Sequence, residues 1–425
     1  MNIFDQLLAD NQIPKFVRVR HEMDHSHIDD IEGAVAQAMR REGTLDRIKP
    51  GDSVCITAGS RDVANIARII RAICDQVKSV GAHPFIIPAM GSHAGAKAEG
   101  QRGIIEGYGV TEEAMGAPIR ASMDTEVIAH SKSGLEIHLD KFANAADFLI
   151  PVGRIKAHTD FRGEVESGIC KMLVIGMGKQ FGADICHAEG FPSMSQNIVE
   201  IGLEIIANTN ILCGMASMEN GYHETYRVVA VAPDKILETE KELLPDAAAQ
   251  LFGIPYEKLD LLIVDWIGKN ISGAGMDPNV TGRSPVLGIS RPFFQRIAVF
   301  DLTDKSHGNF GGLGSADVTT QRLYRKIDFE QTYPNGITAA EPLAVRLPAV
   351  MPSDRTAMQF ALRTATDCDW EKGPRIVWLK NTLSLSEFYI SEALIPDAEA
   401  LDNVTIVSEP MEVIFDEEGN VKELR

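Results

Sequence analysis

DSVCITAGSRDVANIARIIRAICDQVKSVGAHPFIIPAM, residues 52–90, decides the fold class. An apolar run, DSVCITAG, leads into an amphipathic helical segment from Asp62 to Val80, and a second apolar run, HPFIIPAM, follows. Strand, helix and strand in that order make a βαβ unit. Neither strand alternates cleanly between apolar and polar, which is how strands covered on both faces of a parallel sheet read. Ligands of open α/β sheets collect beyond the carboxyl ends of the strands. The exits Gly59-Ser60-Arg61 and Gly91-Ser92-His93 therefore place Arg61 and His93 where they can meet.

Outward from this unit, DFLIPVG (147–153) reads as another strand, and its exit RIKAHTDFRGEVESGICK (154–171) delivers His158 to a third loop. A helix over Ser193–Ala207, strands over Ile211–Ser217 and Tyr226–Val231, and a helix over Pro233–Leu244 complete a first domain. After the GIPYE turn a new strand, KLDLLIVDWIG, opens at Lys258, and strand and helix patterns alternate towards Ile395. At 425 residues the chain exceeds the size at which one core stops growing, about 250–300 residues. The expectation is a two-domain α/β protein. Residues 1–252 form an N-terminal cofactor-binding and catalytic domain with βαβ units and a largely parallel sheet. Residues 253–425 form a C-terminal α/β substrate-selecting domain, with the cofactor site in the cleft between them. The glycine-rich FGGLGS, 310–315, reads as a loop that hugs a ligand.

Composition narrows the function. Hydrophobic residues make up 44% and charged residues 24%, values of a folded globular chain. A formal charge of −19 without a dense Lys/Arg run repels phosphate backbones and anionic lipid, so neither nucleic acid nor membrane is an expected partner. The start MNIFDQLLADNQIPKF lacks the basic and apolar regions of a signal peptide, and no segment holds about 18 uninterrupted apolar residues, so a cytoplasmic address is expected. Six cysteines without a CxxC pair are expected to stay reduced.

Three histidines stand out: His93 on a tight strand exit, His158 within the charged run Lys156, Asp160, Arg162, Glu164 and Glu166, and His187 beside Cys186. Each has a bland alternative, a helix-start residue for His93 and a solvated loop for His158. The apolar stretch from Met172 to Gly178 suggests that the chain dives back into the protein and takes Lys171 with it. A desolvated lysine is a competent amine nucleophile, and Lys179 competes for that role. Imidazole at His187 suits nickel, copper, iron or zinc, with Cys186 as a soft alternative. HExxH, paired CxxC, a strand-linked GxGxxG and GxSxG are all absent. An all-protein metal cage, a plain nicotinamide dehydrogenase and a serine hydrolase are thereby disfavoured.

ITAGSR, GSH, AHTDFRGEVESGICK and the later CH together resemble the nickel-pincer lactate racemase family, DUF2088. The resemblance implies that Lys171 is joined to a nickel-pincer nucleotide, pyridinium-3,5-bisthiocarboxylic acid mononucleotide nickel, and that His187 completes the metal's coordination. It further implies His93 and His158 as the acid/base pair and Arg61 as the ligand of the cofactor phosphate. In the second domain Tyr324 and Lys326, with Lys269 as rival, are the counterparts of a substrate-carboxylate site. The implied activity is that of an isomerase, a racemase or epimerase of a 2-hydroxy acid or related α-hydroxy compound, with reversible hydride transfer to the cofactor. The implied partners are that small molecule and, transiently, the cofactor-synthesis enzymes. Two other readings stay open: a non-catalytic nucleotide-cofactor-binding protein, and a metal-dependent lyase with His93, His158 and His187 as direct ligands.

Overall fold

The structure, a computed structural model, describes residues 3–41, 43–60, 63–188, 190–251 and 253–425; Arg61 lies outside the described residues. The chain is a mixed α/β protein of two compact units, Asp24–Leu251 and a second made of Met1–Met23 with Phe252–Arg425.

In the first unit a three-stranded parallel sheet runs in the order His83–Pro88, Ser53–Ala58, Phe148–Ile150. Both of its faces are covered. Val54, Ile56 and Ile86 turn into one apolar core with Ile69, Ile70, Ile73 and Val77 of the crossover helix Ile66–Ser79. Cys55, Phe85, Ile87 and Leu149 turn into another with Ile169, Leu173, Val174 and Ile198. Side chains alternate across a strand, so each strand supplies both cores, and this explains the missing polar alternation in the sequence. The crossover helix begins at Ile66, not near Asp62, and Ile66, Ile69, Ile70, Ile73, Cys74 and Val77 form its buried stripe.

The segment read as one strand over 147–153 is two. Phe148–Ile150 pairs with Val54–Ile56, while Val152–Arg154 pairs in parallel with Met215–Ser217 of the strand Gly214–Glu219. Pro151 stands at the switch; it has no N–H for a ladder, and its carbonyl accepts from Met215 N at 2.8 Å. Gly214–Glu219 then pairs antiparallel with Thr225–Val231.

The second unit carries an eight-stranded sheet in the order Ala349–Met351, Val318–Thr320, Phe293–Leu302, Lys258–Ile267, Ile376–Leu379, Glu387–Ser391, Phe16–His21, Val404–Ile406. The first five are parallel and the last three join antiparallel. Phe16–His21 had been expected with the first domain. It belongs here because Phe16 and Val19 are fully buried and every one of Phe16–Arg20 pairs with Ser391–Glu387. Among the described residues no helix is long and apolar enough to cross a membrane.

Candidate functional site

The first parallel strand ends at Ala58, and the short helical turn His93–Ala96 follows the second. The Ser60 hydroxyl meets His93 Nδ1. Tyr108 donates to the Ser60 carbonyl at 2.9 Å, and Gln101, itself buried, donates to the carbonyls of Gly91 and His93 at 2.8 and 3.2 Å. His93 is thus fastened to the neighbouring strand's exit. Immediately after it Ala94, Gly95 and Ala96 all have positive φ, 54°, 63° and 53°. Non-glycine residues adopt this conformation at a cost, and such strain gathers at functional turns.

His158 sits on a loop closed at its base by two backbone hydrogen bonds of 3.2 Å between Lys156 and Ser167. Inside the loop Glu166, buried, accepts the His158 N–H at 2.5 Å, and burial pushes its carboxyl pKa up. The His158 side chain is 14% exposed and stacks on Phe161 with ring centroids 4.2 Å apart. Its Nδ1 accepts the backbone N–H of Asp160 at 3.0 Å, and its Nε2 lies 2.5 Å from Lys171 Nζ.

These two contacts fix a tautomer. An N–H of the backbone can only donate, so Nδ1 must carry a lone pair, and the neutral ring then bears its proton on Nε2. That nitrogen is the one that faces Lys171 Nζ.

Lys171 ends the helical turn Ile169–Lys171, after which Met172–Gly176 forms a π-helical turn. A methyl at Gly59 would lie 3.1 Å from Met172 Cε, and one at Gly91 would lie 3.1 Å from Ile175 Cγ2. Both strand exits therefore abut the segment that follows Lys171. On the other side, Glu240 of the helix Ile236–Ala249 reaches the start of the turn, accepting from Ile169 N and, at 3.2 Å, from Cys170 N. Only a glycine at 168 admits it, since a Cβ there would fall 2.1 Å from Glu240 Oε1. Burial raises the Glu240 carboxyl to about 7.

His187 lies in the helix Lys179–Ala188 with its ring edge-on to Phe191. Burial first, and then the positive charge of Lys171, lower its pKa to about 4, so the ring is neutral near pH 7. Its Nδ1 is buried and has no hydrogen-bond partner among the described residues. A neutral imidazole with an orphaned nitrogen is the state a metal ligand requires.

Of the two lysines, the fully buried one is Lys179, not Lys171, which is half-buried. Lys179, at φ 55°, ion-pairs with the equally buried Asp140 at 3.0 Å and donates to the Pro88 carbonyl. Its amine is committed to structure. The first unit thus brings His158 and Lys171 into contact, with His187 near enough to feel the lysine's charge, and holds His93 on the adjoining strand exit. Among the described residues no three His, Cys, Asp or Glu side chains form a metal-binding group. Sequence reasoning missed Ser60, Phe161 and Glu240; the first two lie within segments it had singled out, whereas nothing in the local pattern distinguishes Glu240 from a surface acid.

In the second unit Lys326 Nζ is 3.0 Å from Asp301 Oδ1, donates to the Leu302 carbonyl at 3.0 Å, and lies 5.1 Å from the centre of the Trp266 ring. Its charge is already balanced by Asp301. Tyr324 is 40% exposed, and Lys269 donates to the Gly273 carbonyl at 2.7 Å. The glycine-rich 310–315 stretch packs inward: Phe310 and Leu313 are buried, and Gly312 N donates to the Ala344 carbonyl at 2.7 Å.

The fold has a counterpart in the lactate racemase apoprotein from Thermoanaerobacterium thermosaccharolyticum, with a TM-score of 0.51 and 15% identity over 86% of this chain and 93% of that one. A protein from Thermotoga maritima aligns with a TM-score of 0.43 and 11% identity over 64% of this chain and 70% of its own. At these identities the likeness to lactate racemase is one of fold. No curated protein matches the chain in sequence. The family model that matches is not DUF2088, the family expected from the motifs. It is the one described as "Domain of unknown function (DUF362)", and it covers residues 34–248, slightly more than half of the chain and nearly all of the first unit. Short motifs around His93, His158 and Lys171 suggested a particular family, where the full run of residues identifies another with a related fold: the chain belongs to the DUF362 family.

Proposed function

We propose that this protein is an isomerase of a small 2-hydroxy acid or related α-hydroxy compound. In this reading Lys171 carries a nickel-pincer nucleotide, His187 ligates its metal, and His158 and His93 exchange protons with the substrate. The observation that carries the reading is the His158–Lys171 contact beside the orphaned His187 Nδ1. These residues fit such a group: a half-buried lysine side chain for a covalent bond, and a neutral buried imidazole for a soft metal. When bound, the group would supply a hydride acceptor for the substrate's α-carbon.

The chain's own residues do the rest. Asp160 N–H holds the proton of His158 on Nε2, so the ring enters with one tautomer and one orientation. Phe161 covers one face of that ring and limits water there. Ser60 orients His93 through Nδ1, and His93 is the second imidazole of the pair that exchanges protons. Glu240 anchors the backbone at Ile169 and Cys170 and so fixes where Lys171 stands. Arg61 is assigned to the cofactor's phosphate.

Intact-protein mass and nickel content after expression beside nickel-pincer synthesis enzymes test this reading. The expected result is a mass increment on Lys171 with bound nickel, both lost in Lys171→Arg, and nickel alone weakened in His187→Ala. An unmodified Lys171 without nickel under those conditions would overturn it.

A further inference from the structure

We propose that the second unit holds a binding site for an organic anion with an apolar body, at the amino-terminal ends of the strands Phe293–Leu302 and Val318–Thr320. This goes beyond the function proposed above and uses none of its residues. A cavity of about 530 Å³ opens there, lined by Arg283, Arg296 and Arg346 together with Ile289, Phe293 and Leu343. The volume falls in the usual range of small-molecule sites.

The charge in the cavity does not close. Arg283 pairs with Asp317 at 2.5 Å and spends its other donors on the carbonyls of Ser315, Phe294 and Gln295. Asp317 also accepts from Ile297 N at 2.8 Å, and its single negative charge is matched by Arg283. Arg296 donates only to neutral oxygens, the hydroxyl and carbonyl of Thr364 at 3.1 and 2.6 Å and the Gln295 carbonyl at 2.7 Å. Arg346 donates through Nε to the Gly314 carbonyl at 2.8 Å. Among the described residues neither Arg296 nor Arg346 has an ion-pair partner, and two guanidinium charges are left to one cavity in a protein of net charge −19.

Beside Ser284, Gln295, Ser315 and Asp317 the wall is mostly apolar and partly in water: Ile289 is 61% and Leu343 is 47% exposed. Exposed aliphatic groups around unpaired guanidinium groups complement a carboxylate on a hydrocarbon body, because the fork of Arg matches a carboxylate and the rim covers the chain. A bare inorganic anion would leave the rim wet, and a neutral lipid would leave the charges unmatched.

The test uses the full chain, with octanoate as probe and octan-1-ol as its neutral twin, followed by calorimetry. Octanoate is expected to bind, and raising the salt should weaken it. In Arg296→Gln/Arg346→Gln its Kd should rise about tenfold or more, while that of octan-1-ol changes less than about twofold. Ile289→Asp, on a solvent-exposed rim residue, should weaken octanoate to a similar degree and leave the melting temperature unchanged, which keeps the test available if the arginine variants do not fold. No octanoate binding up to about 10 mM, equal binding of both probes, or octanoate binding untouched by Ile289→Asp would each overturn the proposal.

Discussion

Glu240 and His187 oppose each other's effect on stability, and two substitutions separate them. Burial raises the Glu240 carboxyl from 4.5 to about 7 and lowers the His187 imidazole from 6.5 to about 4. For Glu240 the native state binds the proton more tightly, so its stabilising contribution is complete below pH 4.5 and is lost as the pH rises through about 7. For His187 the unfolded state binds the proton more tightly, so its contribution is complete above pH 6.5 and is lost as the pH falls through about 4. Each gap corresponds to about 3 kcal/mol. Between pH 4.5 and 6.5 the two slopes have opposite sign and nearly equal size, and together these groups leave stability almost flat.

Glu240→Gln keeps an oxygen for Ile169 N and removes one slope, so its stability relative to the parent should climb by about 3 kcal/mol from pH 4.5 to 7. His187→Asn removes the other, and its relative stability should fall by about 3 kcal/mol from pH 4 to 6.5. Urea unfolding reads both. All three tryptophans, Trp266, Trp370 and Trp378, belong to the second unit, so the transition seen by far-ultraviolet circular dichroism without a fluorescence change is that of the first. Curves for both variants that run parallel to the parent's within about 0.5 kcal/mol would refute the reasoning.

Two further predictions concern packing in the same unit. Lys179→Met leaves the buried Asp140 carboxylate uncompensated and should cost about 3–5 kcal/mol, whereas adding Asp140→Asn, which keeps the acceptor for Phe142 N and Ala143 N, should restore more than half of the loss; equal loss in single and double variants in urea unfolding would contradict this. Gly153→Ala places a methyl 2.7 Å from the carbonyl carbon and oxygen of Gly168 and should cost at least about 2 kcal/mol by the same measurement, with a loss below about 0.5 kcal/mol counting against the contact.

The βαβ unit was legible because each of its elements is local: apolar runs bounded by glycine, and a helical stripe between them. Where the sequence misled, the cause was a feature that local pattern does not carry. Pro151 splits an apolar run between two sheets whose other members lie far along the chain. The π-helical turn Met172–Gly176 changes the spacing after Lys171, so an apolar run that implied a buried Lys171 instead buries Lys179. The histidines and Lys171 could be picked out as residues, yet their contacts depend on Ser60, Phe161 and Asp160, and His158's tautomer on a backbone N–H that no sequence displays. The motif residues led to the lactate racemase fold, which the solved structure shares, but not to the family, which the match over residues 34–248 gives as DUF362.

The strand Phe16–His21 is flanked by Glu387–Ser391 and Val404–Ile406. On the ribosome it is therefore made several hundred residues before either of its neighbours. At a synthesis rate of about 5–20 residues per second, an interval of tens of seconds separates them. Throughout that interval a strand that buries Phe16, Val17 and Val19 waits with both edges unpaired, while Asp24–Leu251 emerges and can complete its own contacts. A chain interrupted between Leu251 and Glu387 would carry a finished first unit and a permanently unpaired Phe16–His21 strand, a ready template for aggregation.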